Sequence, residues 1–246
     1  LWNLWWLATQ RLKDPQTAER AGRGLAALLP DNANAAHAVA FSLVAQRRFA
    51  EAEEAMRATL KLDPVHPYAL PNLGHLLLRR GATEEAVTVY REIVKLENEG
   101  RIKTGLPHLT LSLGLALAAA GDGAGARRTI LEAAEQLRAG GVKRQLAAPD
   151  QALLAAMLAT AGRTEEARSL ADRAARRAGR AVDVHYELAR AYVALGERAL
   201  AMSHLEQAYA AGYGDGYFPL IDPALGDLRT DPALERLAPR GPDAAS

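Results

Sequence analysis

Cysteine is absent from the 246 residues. That excludes disulfides, thiolate metal sites and a cysteine nucleophile, and it leaves the compartment open. Charge excess of one sign is missing too: the formal net charge is +1, so no global field draws the chain to nucleic acid or to an anionic membrane. Lysine is scarce, with five against 25 arginines, a bias of composition rather than of function. No long apolar run exists. The opening LWNLWWLA is apolar for about eight residues, far short of the ~20 that span a bilayer. No charged leader or cleavage-type sequence precedes it, and the first residue is Leu1, so the chain is expected to be the tail of something longer. What remains, 49% hydrophobic and 24% charged, is the composition of an ordered, soluble protein.

The chain is organised around a pattern written twice between Ala33 and Gly100. Leu73-Gly74, Leu77, Ala86, Tyr90 and Ile93 repeat the spacing of Val39-Ala40, Leu43, Ala52, Met56 and Thr59, at a period of 34 residues. A fixed period in this range marks an array of helix pairs, none of which can bury its own apolar face. Two series of small residues carry the frame further. Ala40, Gly74, Gly114, Ala155 and Ala189 mark the closest crossing within each pair, and Ala52, Ala86, Ala126, Ala167 and Ala201 open the second helix. Both series step by 34, 40, 41 and 34, which predicts repeats at 33–66, 67–100, 107–140, 148–181 and 182–215. Six extra residues fall near 101–106 and seven near 141–147, between units, where an array tolerates loops.

Small residues let two helix backbones approach, and larger apolar neighbours fill the groove around the crossing. Gly81, Gly121, Gly162 and Gly196 suit the left-handed turn that ends a first helix. Thr83 and Thr164, each followed by two glutamates, are expected to cap the second helices. Residues 1–32 read as an abbreviated helix pair: Leu4, Trp5, Leu7 and Ala8 on one helix, an Asp14-Pro15 start, then Ala18, Ala21, Leu25 and Leu28 at helical spacing. Residues 216–246 change character. Two Asp-Pro starts, Asp222-Pro223 and Asp231-Pro232, precede Leu225, Leu228, Leu234 and Leu237, and are expected to cover the bare face of the last unit; a disordered tail is expected from Arg240.

These residues resemble the tetratricopeptide repeat family. LPNLGHLLLRRGATEEAVTVYREIVKLE (70–97) looks like a near-standard unit, and AVAFSLVAQRRFAEAEEAMRATLKLDP (38–64) is close to it. DPALGDLRTDPALERL is similar to the closing segment of many bacterial arrays of this family. The opening NLWWLATQRLKDPQTAERA is similar to a variant repeat in bacterial proteins that carry such arrays behind a catalytic, haem-bearing or membrane-embedded part. The resemblance implies an all-α, right-handed α-solenoid of antiparallel helix pairs, a superhelix whose first helices line a concave groove for peptide or protein segments. One subclass grips acidic tails through Lys, Asn and Arg on successive first helices. Asn72 fits one such place, but His37, Phe41, His108 and Ser112 stand at the others, so that clamp is not expected.

Candidate chemistry is sparse. His37, His75 and His108 fall on successive first helices, yet no carboxylate stands at ligand spacing and no HExxH pair exists, so neither metal nor cofactor is expected. His66, His185 and His204 show no partner. The Gly-rich run 212–216 lacks the Gly-Lys-Ser/Thr ending of a phosphate cradle, and no nucleophile elbow occurs. From Arg138 to Arg180 nine Lys/Arg oppose four Asp/Glu, with Arg173, Arg176, Arg177 and Arg180 on one helical side. Without aromatics among them this reads as a solvated face rather than a nucleic-acid surface. The sharper anomaly is apolar: 109–120 and 151–161 contain no charged residue, and a helix apolar all round must be covered all round. The 109–117 stretch even alternates like a strand, a reading the repeat frame overrules.

The expected function is therefore non-catalytic: a protein–protein interaction scaffold binding a helix or extended peptide segment, of a partner or of its own parent chain. Phe41, Leu78, Leu111, Leu115 and Ala156 form the apolar floor of the expected groove, and His37, His75, Tyr186 and Arg190 its polar rim. The alternative is the accessory region of a larger bacterial enzyme (a glycosyltransferase, kinase or multihaem protein) with its chemistry upstream of Leu1.

Overall fold

The computed structural model describes residues 1–103, 106–140, 146–213 and 218–237. Those residues form helices joined by turns and short irregular connections, with no strand among them. They fall into two compact units, one of 1–103 with 218–221 and one of 106–213 with 222–237. Residues 141–145 of the second expected insertion, Gly214–Gly216 of the glycine run and the tail from Arg240 lie outside the described residues.

The first unit runs α1 (Trp2–Leu7), a π-helical turn (Ala8–Leu12), α2 (Pro15–Leu28), α3 (Ala33–Ala45), α4 (Phe49–Leu62), α5 (Ala69–Arg80) and α6 (Thr83–Asn98). Each helix packs on the next. The Asp14 carboxylate caps α2 by accepting from the Thr17 N–H at 3.0 Å, so one of the orphan donors of the first turn is satisfied. Thr83 does not cap its helix: Ala82 holds the cap position, and Thr83 is the first helical residue. The same correction applies to Thr164, with Arg163 at the cap. In both helices the second glutamate serves an ion pair instead. Arg57 of α4 reaches Glu85 at 2.6 Å, and 81 residues later the pattern recurs between Arg138 and Glu166 at 2.5 Å.

The second unit runs α7 (Leu106–Ala119), α8 (Gly123–Gly140), α9 (Ala148–Thr160), α10 (Thr164–Ala178), α11 (Val182–Ala194) and α12 (Arg198–Ala210). The uncharged, alternating stretch 109–117 is helix. In this unit α9 packs on both α10 and α11, and α11 on α12. After it come a 3-10 segment, Pro223–Thr230, and α13 (Pro232–Leu237).

Both small-residue series are buried. Ala40, Ala155 and Ala189 are fully covered, and the two glycines leave no room for a methyl: one added at Gly74 would lie 2.7 Å from the Tyr90 ring, and one at Gly114 closer still to the Ile130 side chain. The turn glycines 81, 121, 162 and 196 have φ between +77° and +89°. One period before Gly81 the same place is held by Arg47, at φ +60°, so the first full unit makes its turn without the residue that makes it cheaply.

Candidate functional site

In the first unit, α3 carries His37 and Phe41 and α5 carries His75 and Leu78. Phe41 is half-buried and meets the edge of Trp5 at 6.0 Å between centroids. The Trp5 indole N–H is aimed at the Ala38 carbonyl (3.1 Å) and the Ser42 hydroxyl (3.2 Å). This fixes α1 against α3 and explains why, of three tryptophans, Trp5 is the inward one. His37 packs on the His66 ring at 4.9 Å and lies near Tyr68 and Phe41. His66 Nδ1 accepts the Ala69 N–H, which leaves its Nε2–H to face the Asn34 side-chain oxygen at 3.1 Å. Burial and the neighbouring His66 push His37 down to about 3, so it is neutral at physiological pH. His75 is buried, with the Phe218 ring edge-on at 5.0 Å. Arg79 stacks over Phe49 and donates to the Leu220 carbonyl at 3.2 Å. Leu78 stays half-buried.

In the second unit, Leu111 and Ala156 are each 1% exposed, whereas Leu115 is half-buried. Tyr186 and Arg190, the other two expected rim residues, are buried and engaged by an acid from the same chain. The Tyr186 hydroxyl and Arg190 Nε both donate to Oδ2 of Asp222, at 2.6 and 2.8 Å. Oδ1 of that carboxylate accepts the Ala224 N–H at 2.9 Å, capping the 3-10 segment. Arg190 Nη1 reaches both oxygens of Glu187, at 3.2 and 3.3 Å, and lies 3.2 Å from His108 Nδ1. Tyr213 stacks face to face on Tyr186 at 4.9 Å.

The electrostatics follow from burial. Desolvation pushes the Glu187 carboxyl up, but the Arg190 guanidinium and the His108 ring together outweigh it, and the net is below the ordinary carboxylate range. Desolvation and the Asp222 charge push the Tyr186 phenol well above 10, keeping it a donor. Buried Arg190 therefore has two carboxylates within the chain. Pro223–Thr230 packs on α11 and also on α7, which belongs to the pair two before. Leu225 and Leu228 of that segment are buried, and α13 packs on α12.

The expected closing cover thus lies along first helices, beyond the face of the last pair. Reading the sequence missed Asp222 as an acceptor, because an Asp-Pro pair is explained already as a helix start. It also missed the His185–His204 pair, whose Nδ1 atoms lie 2.9 Å apart. His185 Nε2 donates to the Gly179 carbonyl, which makes its Nδ1 the acceptor of the pair. Burial first, then His185, push His204 down to about 4. Among the described residues no group of three or more His, Asp or Glu is arranged for a metal, and no helix is long and apolar enough to cross a membrane.

Sequence profiles of the tetratricopeptide repeat family match residues 40–100 and residues 107–132, 151–173 and 182–207, together more than half of the chain. The chain belongs to the tetratricopeptide repeat family. Its helix pairs are those of a tetratricopeptide α-solenoid, a class of repeat that mediates protein–protein contact. Among solved structures, YrrB, described as a tetratricopeptide repeat protein with an unusual peptide-binding site, aligns with a TM-score of 0.45 at 17% identity, covering 79% of this chain and 93% of that one. A tetratricopeptide repeat protein from Parabacteroides merdae ATCC 43184 aligns with a TM-score of 0.46 at 17% identity, covering 91% of this chain and 82% of that one. No curated protein sequence matches the chain.

Proposed function

We propose that the chain is a non-catalytic interaction module, with repeats at 33–66, 67–100, 107–140, 148–181 and 182–215, whose first helices receive a helix or extended segment of a protein partner. One observation carries this reading. The faces of α7 and α11 already carry a segment of polypeptide, Pro223–Thr230, laid over them by the chain itself. A surface that seats leucines and an aspartate in this way is shaped for peptide. On α3 and α5 the half-buried Phe41 and Leu78 offer apolar contact of the same kind, with His37 and His75 beside them. In the second unit the half-buried Leu115 offers apolar contact on α7, while Leu111 and Ala156 are buried. Each leucine wholly covered by a partner would contribute about 1.5–3 kcal/mol, so two of them suffice to dominate a micromolar contact.

The test is a selection of displayed peptides against the full chain, with the winners measured on Leu78→Asp and Leu115→Asp variants. Affinity should fall at least tenfold on one or both, with the melting temperature within about 3 °C of wild type. Unchanged affinity on both variants would refute the groove. A second reading has its own observation: Leu1, Trp2, Leu4, Trp6 and Leu7 are exposed on α1 and its flank, a patch that favours contact with further polypeptide. That is the accessory region of a larger enzyme, and serine at Trp2 and Trp6 would separate it from the catalytic part while leaving peptide binding intact.

A further inference from the structure

The face of α11 carries more than apolar floor, and what occupies it has a readable pattern. Asp222, the cap of the 3-10 segment, and Leu225 and Leu228 within it stand at intervals of three. All three are buried, Asp222 at 0% exposure. The backbone between them does little to hold the segment, because Gly226 at φ +49°, ψ −130° interrupts the helix. Side chains hold it: the carboxylate on Tyr186 and Arg190, the leucines on the helices beneath. The next turn repeats the wording. Asp231-Pro-Ala-Leu234 follows Asp222-Pro-Ala-Leu225 by nine residues, and Asp231 pairs with Arg198 at the start of α12 while Leu234 is buried. Each copy sets its aspartate on an arginine and its leucine in the core.

A cover needed only to close the last helix pair has no cause to reach α7, yet this segment does. Nor does a cover need a buried charge, since burying a carboxylate is costly unless its receptor is built for it. Here the receptor is built: Tyr186 and Arg190 take one oxygen, and Glu187 with His108 fixes the guanidinium from the other side.

We infer that Tyr186 and Arg190 form a carboxylate-receiving pocket for segments of the pattern Asp-Pro-x-Leu-x-x-Leu, and that residues 222–230 are its built-in occupant, displaced by the same pattern in a partner polypeptide. The inference rests on the interaction-module reading and names the ligand of one face of it. A tethered occupant competes at an effective concentration on the order of millimolar, so the resting chain binds such partners weakly and any partner that wins must present several copies or a longer match.

The probe is a fluorescent peptide of residues 221–234 of this sequence, with a second peptide carrying Asn in place of Asp222. Full-length chain with Leu225→Ala and Leu228→Ala loosens the occupant and leaves the pocket untouched. It should bind the acidic peptide at least tenfold more tightly than wild type does, prefer it at least tenfold over the amide peptide, and lose that preference when Arg190→Leu is added. Equal affinity of the loosened and wild-type chains, or equal affinity for the two peptides, would overturn the inference. Should the loosened chain fail to fold, wild type answers: excess acidic peptide should speed amide hydrogen exchange at residues 222–230 while α11 stays protected, and no acceleration overturns the inference. These arms read only the α7–α11 face. A failure here leaves the Phe41–Leu78 groove to its own test.

Discussion

Removing Asp222 is the most informative single perturbation, because three groups depend on one carboxylate. In Asp222→Ala the Arg190 guanidinium, 4% exposed, keeps Glu187 but loses its shortest partner, the Tyr186 hydroxyl loses its acceptor, and the 3-10 segment loses its cap. Breaking a buried ion pair by deleting one partner costs about 3–5 kcal/mol, and a lost cap adds about 1 kcal/mol. Arg190→Leu takes the guanidinium from two buried acids, Asp222 at 0% exposure, on which Tyr186 still donates, and Glu187 at 5%, and should cost at least as much. The double variant strands neither Asp222 nor Arg190, and Glu187 alone stays without the guanidinium, with His108 beside it. The double loss should therefore fall short of the summed single losses by about 2–3 kcal/mol, the size expected of residues in one buried network. Urea unfolding followed by far-ultraviolet circular dichroism supplies the numbers. Amide exchange along α11 is the companion readout, because an array need not unfold in one step. Tryptophan fluorescence reports only residues 2–6, where all three tryptophans lie, and serves as an internal reference. Single losses below 1 kcal/mol, or strict additivity, would refute a network organised on Asp222.

Three further outcomes follow from particular contacts. Gly74→Ala pits helix propensity, worth about 1 kcal/mol in favour of alanine, against a methyl set 2.7 Å from the wholly buried Tyr90 ring; overpacking at about 1–3 kcal/mol should win, and a raised melting temperature would contradict the close crossing. His37 and His204 have folded pKa values depressed to about 3 and about 4, so the unfolded chain binds the extra protons: stability should be full above about pH 6.5 and fall towards pH 4 by at most about 1.4 kcal/mol per pH unit per histidine. Replacing His37 by Leu should flatten that slope, and an unchanged slope would exclude His37 as its source. Arg173 and Arg176 are exposed on α10 and Arg180 in the turn after it, so changing each to Glu should alter stability by only a few tenths of a kcal/mol in thermal melts; a drop of several kcal/mol would show the stripe is not merely solvated.

Helix pairing was legible because it depends on a requirement that recurs: one small residue per crossing, which Gly74 meets against Tyr90 and Ala155 meets in full burial. Turn glycines were legible for the same reason, and Arg47 shows the limit, since a left-handed turn held by arginine leaves no mark in composition. Thr83 misled because the threonine-glutamate pattern satisfies a capping rule, while the structure uses Glu85 to reach Arg57 on the neighbouring helix pair. Asp222 was invisible for a deeper reason. Its local role, opening the 3-10 segment, accounts for the residue completely, so nothing in the sequence asks for the second role on Arg190, 32 residues away. Tyr186 and Arg190 were expected as a polar rim, but both are buried against Asp222, a long-range pairing within the chain without a period to betray it.

The absence of cysteine allows the central claim to be measured directly. Single cysteines placed at Phe41, Leu78 and Leu115, and at Arg176 as an outer reference, can be alkylated in the full chain with and without a selected peptide ligand. A first-helix groove predicts that the ligand slows alkylation at Leu78 or Leu115 at least fivefold and leaves Arg176 unchanged. Equal rates at every inner position, or protection at Arg176 alone, would place the binding surface elsewhere and contradict the account.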